Sequence, residues 1–296
     1  MKIGFIGFGS MGRAIAEGLI ARNVCTPEDI YACAGHFDKL QETADKLGVH
    51  AERAAADVVA KSDWVVPAVV PAILEDVLGP VLPALRDKIV VSIVSGWDFA
   101  RYEAFLAPGT HHISTIPNTP IAIGEGVLAC ESTHNLTEAE YAQFEETFGK
   151  IALIVPVTAA QFGPAGTLGG CTPAFTAMYL EALGDAGVKY GLSRAAAYQM
   201  AAQVLIGTGM LYLESGLHPG VLKVGVCSPG GTTIRGVAEL EKRAFRGTVI
   251  SAVDAIEGNE KRSRLPLGSR DFLRISIQWG AGIVRPQRPP LHRGGL

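Results

Sequence analysis

Lys2-Ile3-Gly4-Phe5-Ile6-Gly7-Phe8-Gly9-Ser10-Met11-Gly12-Arg13 carries the strongest local pattern in the chain. Ile3 to Ile6 reads as a short buried strand. Met11 to Ala21 reads as a helix, with apolar residues at Met11, Ile15, Leu19 and Ile20. Between them stands a Gly-x-Gly-x-x-Gly run. Gly7 permits the tight turn, Gly9 lets the backbone approach a pyrophosphate, and Gly12 lets the helix lie close to the strand. The N-terminus of the helix attracts phosphate. Three glycines at this spacing say little alone, but with a strand before and a helix after they predict a dinucleotide-binding loop. Its residues are Ile6, Gly7, Phe8, Gly9, Ser10, Met11 and Gly12.

The end of the second strand, about Ile30 to Ala34, should choose between the two nicotinamide dinucleotides. An acid there would grip a ribose 2′-hydroxyl. The sequence runs Ala34-Gly35-His36-Phe37-Asp38-Lys39, with no acid at Ala34 or Gly35. Ser10, His36 and Lys39 could instead meet a 2′-phosphate. The expected cofactor is therefore NADPH, with NADH as the alternative. His36 reads almost equally well as a plain surface histidine.

Outward from this loop, strands and helices alternate. A helix is expected at about Asp38 to Leu47. A third apolar run, Trp64 to Val70, ends at Pro71 and is followed by a helix to Leu78. Ile89 to Val94 and Ile113 to Ile116 read as strands around a helix at Phe99 to Leu106. Val127 to Cys130 and Ile151 to Val155 are further strand candidates. Such alternation implies a parallel, doubly wound sheet. Pro67 inside the third run is unusual, because proline removes a ladder donor.

From Pro173 the period becomes helical. Phe175, Met178, Ala182, Leu183 and Ala186 form one apolar stripe. Ala197, Met200, Val204, Thr208, Leu211 and Tyr212 form another, after Ser193 as its N-cap. His218-Pro219-Gly220 should stop that helix, and two more follow at about Thr233 to Lys242 and Val249 to Glu257. Stripes of this kind on an all-helical domain make either a dimer interface or a closed bundle. The expected fold is thus α/β, a Rossmann-type doubly wound sheet over residues 1–156 followed by an all-helical dimerisation domain over 157–263. Residues 264–296 carry six arginines, no lysine, one acid (Asp271) and Pro-rich runs, without helical period. They read as an atypical tail and are left out of the fold argument.

Bulk properties narrow the function. The 296 residues suffice for two full cores, and 48% hydrophobic with 19% charged residues describes a globular chain. A net charge of -3 carries no footprint for nucleic acid or an anionic membrane, so neither partner is expected. The five cysteines lack metal-ligand spacing, so no metal is expected and buried reduced thiols are the plain reading. Met1 and Lys2 run straight into a strand, without a long apolar leader or bilayer-length segment, which points to the cytoplasm.

Two other segments have strong local character. Ile116-Pro117-Asn118-Thr119-Pro120 is a rigid turn after a sheet strand, where strand ends face a cofactor crevice or simply turn the chain. Ser228-Pro229-Gly230-Gly231-Thr232-Thr233-Ile234-Arg235-Gly236 precedes a helix. Two glycines and three hydroxyls there can hold a carboxylate, or can merely cap the helix.

At these residues the chain resembles the pyrroline-5-carboxylate reductases. Ser228 to Ile234, with Gly236 and Leu240-Glu241, looks like that family's signature. Gly7 to Ala16 resembles its cofactor loop, Pro117-Asn118-Thr119-Pro120 with Gly124-Glu125-Gly126 its central turn, and Glu181 to Val188 its dimer core. The likeness runs in order from Lys2 to about Arg262. It implies NAD(P)H-dependent reduction of 1-pyrroline-5-carboxylate to L-proline, the last step of proline synthesis, by a homodimer or larger homo-oligomer. Its substrate would be a small imino acid. A protonated cyclic imine already accepts hydride, so positioning matters more than a strong acid–base pair. The resemblance places the substrate carboxylate at Ser228, Gly230, Gly231, Thr232 and Thr233, with Thr233 as the catalytic candidate at the ring nitrogen. It adds cofactor contacts at His36, Ala68, Val69, Val70, Pro71, Ser95 and Asn118.

The chain departs from the pattern where it has Val70 in place of a lysine, Ala55 in place of an asparagine, and Val224-Gly225 in place of an acid or amide. Gly169-Gly170-Cys171-Thr172 also replaces a Ser-Gly-Ser-Gly turn. Each change removes a polar group near cofactor or substrate. Two other readings follow from those losses: a relative reducing a six-membered cyclic imino acid, or a non-catalytic NADPH-binding protein. A β-hydroxyacid dehydrogenase shares the first loop but needs a lysine that the Pro173 to Leu183 helix lacks.

Overall fold

The structure, a computed structural model, describes residues 1–263; the arginine-rich tail lies outside the described residues. Eight strands form one sheet: β1 (Ile3–Ile6), β2 (Ile30–Cys33), β3 (His50–Glu52), β4 (Trp64–Pro67), β5 (Ile89–Ser92), β6 (His111–Pro117), β7 (Gly126–Glu131) and β8 (Ala152–Val157). Their order is β3-β2-β1-β4-β5-β6-β7-β8. Seven helices accompany them: α1 (Ser10–Ala21), α2 (Phe37–Leu47), α3 (Ala55–Lys61), α4 (Leu74–Leu78), α5 (Leu82–Leu85), α6 (Phe99–Phe105) and α7 (Glu138–Phe148).

Alternation along the buried strands separates two cores. Ile3, Phe5, Trp64, Val66, Val91 and Ile113 face Ile15 and Leu19 of α1 and Phe144 and Phe148 of α7. Ile6, Val65 and Val90 face Val58, Leu74, Leu85 and Tyr102 from α3, α4, α5 and α6. This is the doubly wound arrangement the sequence implies. The chain order turns back at β1, which pairs in parallel with β2 on one side and β4 on the other. A crevice opens beyond the carboxyl ends of strands at such a switch point.

One correction concerns the sheet, which is mixed rather than all parallel. β7 runs antiparallel to β6, with Ile116 opposite Ala129, and β8 then runs parallel to β7. The β6–β7 link, residues 118–125, is taken up by a 3₁₀ turn (Thr119–Ile123) and is too short for a parallel crossover. Pro67 costs no strand bond. Its position ends β4, where the ladder to β5 has already stopped at Val65–Val90.

The second region begins with α8 (Ala159–Gly166). A π-helical turn (Thr167–Cys171) carries it without a break into α9 (Thr172–Lys189). Then come α10 (Arg194–Ser215), α11 (Pro219–Gly225), α12 (Thr232–Lys242) and α13 (Phe245–Ser263). Ser193 caps α10, its side chain accepting the Ala196 N–H at 3.2 Å. His218-Pro219-Gly220 does not stop α10, which already ends at Gly216 with φ 62°; instead it starts α11, with His218 Nδ1 accepting the Gly220 N–H at 3.0 Å. α9 and α10 pack as a hairpin through small residues. A Cβ on Gly187 would come within 2.7 Å of Ala197. Beyond Gly184, Ala197 and Ala201, α9 to α12 bury no residue within the chain. Met178 stays 69%, Val204 60% and Leu213 65% exposed. Among the described residues, no helix is long and apolar enough to cross a membrane.

Candidate active site

The three glycines of the first loop play three separate parts. Gly7 has φ 96°, and a Cβ there would lie 2.5 Å from the Ala68 carbonyl oxygen. Its N–H donates to the Cys33 carbonyl at 2.9 Å, while the Ala68 N–H donates to the Ile6 carbonyl at 2.8 Å. The loop is thus pinned between the ends of β2 and β4. A Cβ on Gly12 would come within 2.9 Å of the Gly7 carbonyl oxygen. Around the Cβ position of Gly9 nothing stands within 4 Å. That open space, at the N-terminal end of α1, is where backbone can receive a pyrophosphate. No side chain caps α1 and no acid stands in its first turn. Burial pushes the Cys33 thiol beneath the loop up to about 11, which keeps it protonated and inert.

Beside the loop lies a cleft of about 280 Å³. Arg13 of α1, His36 at the end of β2, and Lys39 of α2 line it together with Ser10 and Thr43, and no acid does. Among the described residues, Arg13 is otherwise engaged with Glu17 alone, 3.5 Å away on the exposed face of α1. Three basic groups and two hydroxyls around a cleft without a carboxylate fit a phosphate-bearing ribose better than a bare one. These residues therefore fit an NADP-type dinucleotide.

Ser228 to Thr233 lie in the helical region. Gly230 has φ 68°, and the Gly231 N–H donates to the Ser228 carbonyl at 3.0 Å, closing a turn. Gly231 starts α12 without a side-chain cap or an acid in the first turn, as Gly9 starts α1. By contrast, the Thr137 side chain caps α7 and Ser193 caps α10. α12 begins at Thr232, one residue earlier than expected, so Thr232 and Thr233 both sit in its first turn. Both are exposed, and no residue of 228–233 lines the cleft beside Gly9.

Comparison with known proteins places this arrangement. Residues 159–263 match the family model for pyrroline-5-carboxylate reductase dimerisation, and residues 2–96 the model for NADP oxidoreductase, coenzyme F420-dependent. The chain is 42% identical over 259 residues to the pyrroline-5-carboxylate reductase of Treponema pallidum (strain Nichols), covering 86% of this chain and 98% of the relative. It is 36% identical to that of Escherichia coli (strain K12) over 265 residues, covering 89% and 98%. A crystal structure of Plasmodium falciparum pyrroline carboxylate reductase with NADP bound superposes with a TM-score of 0.77 at 30% identity, covering 86% of this chain and 95% of that one. The chain belongs to the pyrroline-5-carboxylate reductase family.

Within this family member, the remaining expected cofactor residues lie at the carboxyl ends of β4, β5 and β6. Ala68 and Val69 floor the Gly7 turn. Val70 is 62% exposed and precedes the 3₁₀ turn Pro71–Ile73, so no charge projects from that strand end. Ser95 is exposed in the turn after β5. Asn118 behaves differently. It is 7% exposed, and its side chain is engaged by the protein itself: Oδ1 accepts the Val127 N–H at 2.8 Å and Nδ2 donates to the Gly169 carbonyl at 3.0 Å. Sequence reasoning missed Arg13 and Thr43 as cleft residues. Arg13 directly follows the last glycine of the loop, and Thr43 falls one helical turn beyond Lys39, so helical spacing alone could have found both.

Proposed function

We propose that the chain reduces 1-pyrroline-5-carboxylate to L-proline with NADPH, as the last step of proline synthesis in the cytoplasm. The observation that carries this reading is the pair of uncapped glycine helix starts, Gly9 on α1 and Gly231 on α12, in a chain collinear with reductases of that name. The first receives the dinucleotide, the second the substrate carboxylate. NADPH supplies the hydride when bound. The backbone of Gly7 to Gly12 holds its pyrophosphate, and Arg13, His36 and Lys39 hold the ribose phosphate. Ser228, Gly230, Gly231, Thr232 and Thr233 orient the imino acid by its carboxylate, and the Thr233 hydroxyl hydrogen-bonds the ring nitrogen.

The working form is a homodimer or a larger assembly of dimers. The exposed apolar faces of α9 and α10 support this, since such area on a lone chain is a liability. A second copy would also bring a cofactor cleft to the exposed Ser228–Thr233 loop. Five free thiols agree with a reducing compartment.

The test is turnover by the purified chain. With NADPH and pyrroline-5-carboxylate, the reduced-nicotinamide absorbance should fall, and residues 1–263 should restore growth to a proline-requiring cell that lacks the reductase. No cofactor oxidation above background would overturn the reading. Faster turnover of a six-membered cyclic imine would move it to that substrate, in line with the polar groups missing at Ala55, Val70 and Gly225.

A further inference from the structure

The joint between sheet and helices contains a carbonyl whose ordinary α-helical donor is missing. From Ala159 to Lys189 the chain is one continuous helix, interrupted only by the π turn at Thr167–Cys171. In an α-helix the Gly169 carbonyl would accept from the N–H of residue 173. Residue 173 is proline, which has no N–H and whose ring crowds the carbonyl four residues back. A π turn relieves that crowding, and such turns mark functional sites more often than chance. The Asn118 Nδ2 donates to Gly169 at 3.0 Å, from the end of β6, where residue 173 cannot. Its Oδ1 is held by the Val127 N–H of β7 at 2.8 Å, so the amide is fixed at both ends.

Packing around the joint is close. A Cβ on Gly166 would meet Ile116 Cδ1 at 2.7 Å, and one on Gly169 would touch Val127. The turn packs on β6 and β7 on one side and on α13 on the other, and α13 packs on α12. Contacts therefore run from Asn118 through the turn to α13, and α12, with Thr232 and Thr233 in its first turn, leads directly into α13. On the far side, Arg22 of α1 donates to the carbonyls of Ile123 and Gly124 and pairs with Glu125 at 2.6 Å. The segment that begins at Asn118 is thereby also tied to the helix of the cofactor loop.

We infer that Asn118 is a positioning residue for the reductase reaction: by giving Gly169 the donor that Pro173 lacks, it fixes the π turn and so the direction in which the helical region carries the Ser228–Thr233 loop. This rests on the functional reading above. Asn118 then acts on imine placement, not on cofactor affinity.

The test uses the full chain with Asn118→Ala and Asn118→Asp. In Asn118→Ala we expect KM for pyrroline-5-carboxylate to rise about tenfold, the scale of one lost buried hydrogen bond, with the Kd for NADPH, read by fluorescence titration, within about twofold of wild type. Amide exchange in residues 167–175 should quicken while α10 stays unchanged. Asn118→Asp keeps the acceptor for Val127 but sets a carboxylate against the Gly169 carbonyl; burial raises its pKa, and once protonated its O–H can donate to Gly169. Its deficit in kcat/KM relative to wild type should therefore shrink as pH falls from about 8 to about 5.5. A Kd for NADPH that rises as much as KM would make Asn118 a cofactor contact and overturn the inference, as would a deficit in Asn118→Asp that does not change with pH. If Asn118→Ala fails to fold, that pH profile decides alone. If the wild type does not reduce the imine, the functional reading fails, and exchange in 167–175 still decides whether Asn118 holds the turn: unchanged exchange refutes it.

Discussion

Phe5, Trp64, Tyr102, Phe144 and Phe148 in the sheet region are fully buried, whereas Met178, Val204, Leu211 and Leu213 on α9 and α10 stand open to solvent. Both sets come from apolar runs in the sequence. In the first region each stripe meets another from the same chain, and each large side chain removed from water contributes about 1.5–3 kcal/mol. In the second, a two-helix hairpin held by Gly184, Gly187 and Ala197 leaves its apolar face uncovered among the described residues. An apolar stripe therefore says that a face will be covered, but not by which chain. The sheet region is closed on itself, and the helical region, among the described residues, is open on one face.

The largest effect should come from the unfinished half. Val204→Asp puts an unpaired charge in the middle of the exposed apolar face of α10. If a second copy covers that face, the charge costs several kcal/mol, more than a hundredfold in association. Sedimentation should then show monomers, with reductase activity lost alongside. A variant that stays dimeric at micromolar concentration would show that the stripe is not the interface, and the contrast between the two regions would need another cause.

Gly9→Val probes the finished half in the opposite sense. Nothing surrounds the Cβ position of Gly9, so the fold should tolerate valine with little change in Tm. The side chain would fill the space meant for the pyrophosphate, and NADPH affinity should fall at least about a hundredfold. Undiminished binding, read by fluorescence titration, would show that the loop reading is wrong. Gly7→Ala is the foil: with φ 96° and the Ala68 carbonyl oxygen 2.5 Å from the new Cβ, it should lower Tm.

A smaller and more selective effect is expected at Arg13. If Arg13 meets the ribose phosphate, Arg13→Ala should weaken NADPH about tenfold while leaving NADH nearly unchanged. Lys39→Ala should behave alike. Equal losses for the two dinucleotides would place both residues on the pyrophosphate instead, and would leave the choice of cofactor to other residues of the cleft.

How much of this was legible in the sequence follows the same division. β1, α1, β2 and α2 were readable because strand, glycine loop and helix follow one another without interruption. β3 and α3 were not: His50-Ala51-Glu52 is a three-residue edge strand with no buried residue, and α3 has no N-capping side chain to announce it. The reversal of β7 lay in the length of one connection rather than in any residue pattern. At the site, His36 and Lys39 were visible from their place after β2. Asn118 was read from its position at a strand end, and only the fold reveals Gly169 opposite it, 51 residues away. Side chains that serve a distant backbone atom leave no local signal.

The smallest effect tests the finished core from its far end. His112, at the start of β6, is buried against Phe99, with ring centroids 4.7 Å apart. Its Nε2 lies 3.0 Å from Glu103 Oε2, and among the described residues its Nδ1 has no partner. Burial holds its pKa below the ordinary imidazole value, outweighing the opposing pull of Glu103. The folded state then binds fewer protons than the unfolded one just below pH ~6.5. His112 therefore contributes full stability above that pH, and the contribution shrinks as pH falls through ~6.5 toward the lower folded value. His112→Gln keeps an N–H donor for Glu103 and cannot titrate. Its Tm should fall less than that of wild type between about pH 7.5 and about pH 5. Carboxylates elsewhere titrate in both proteins, so the difference between the two curves isolates His112. Parallel curves would mean that the ring is protonated inside the fold, and that the sheet region is less tightly closed at β6 than its burial implies.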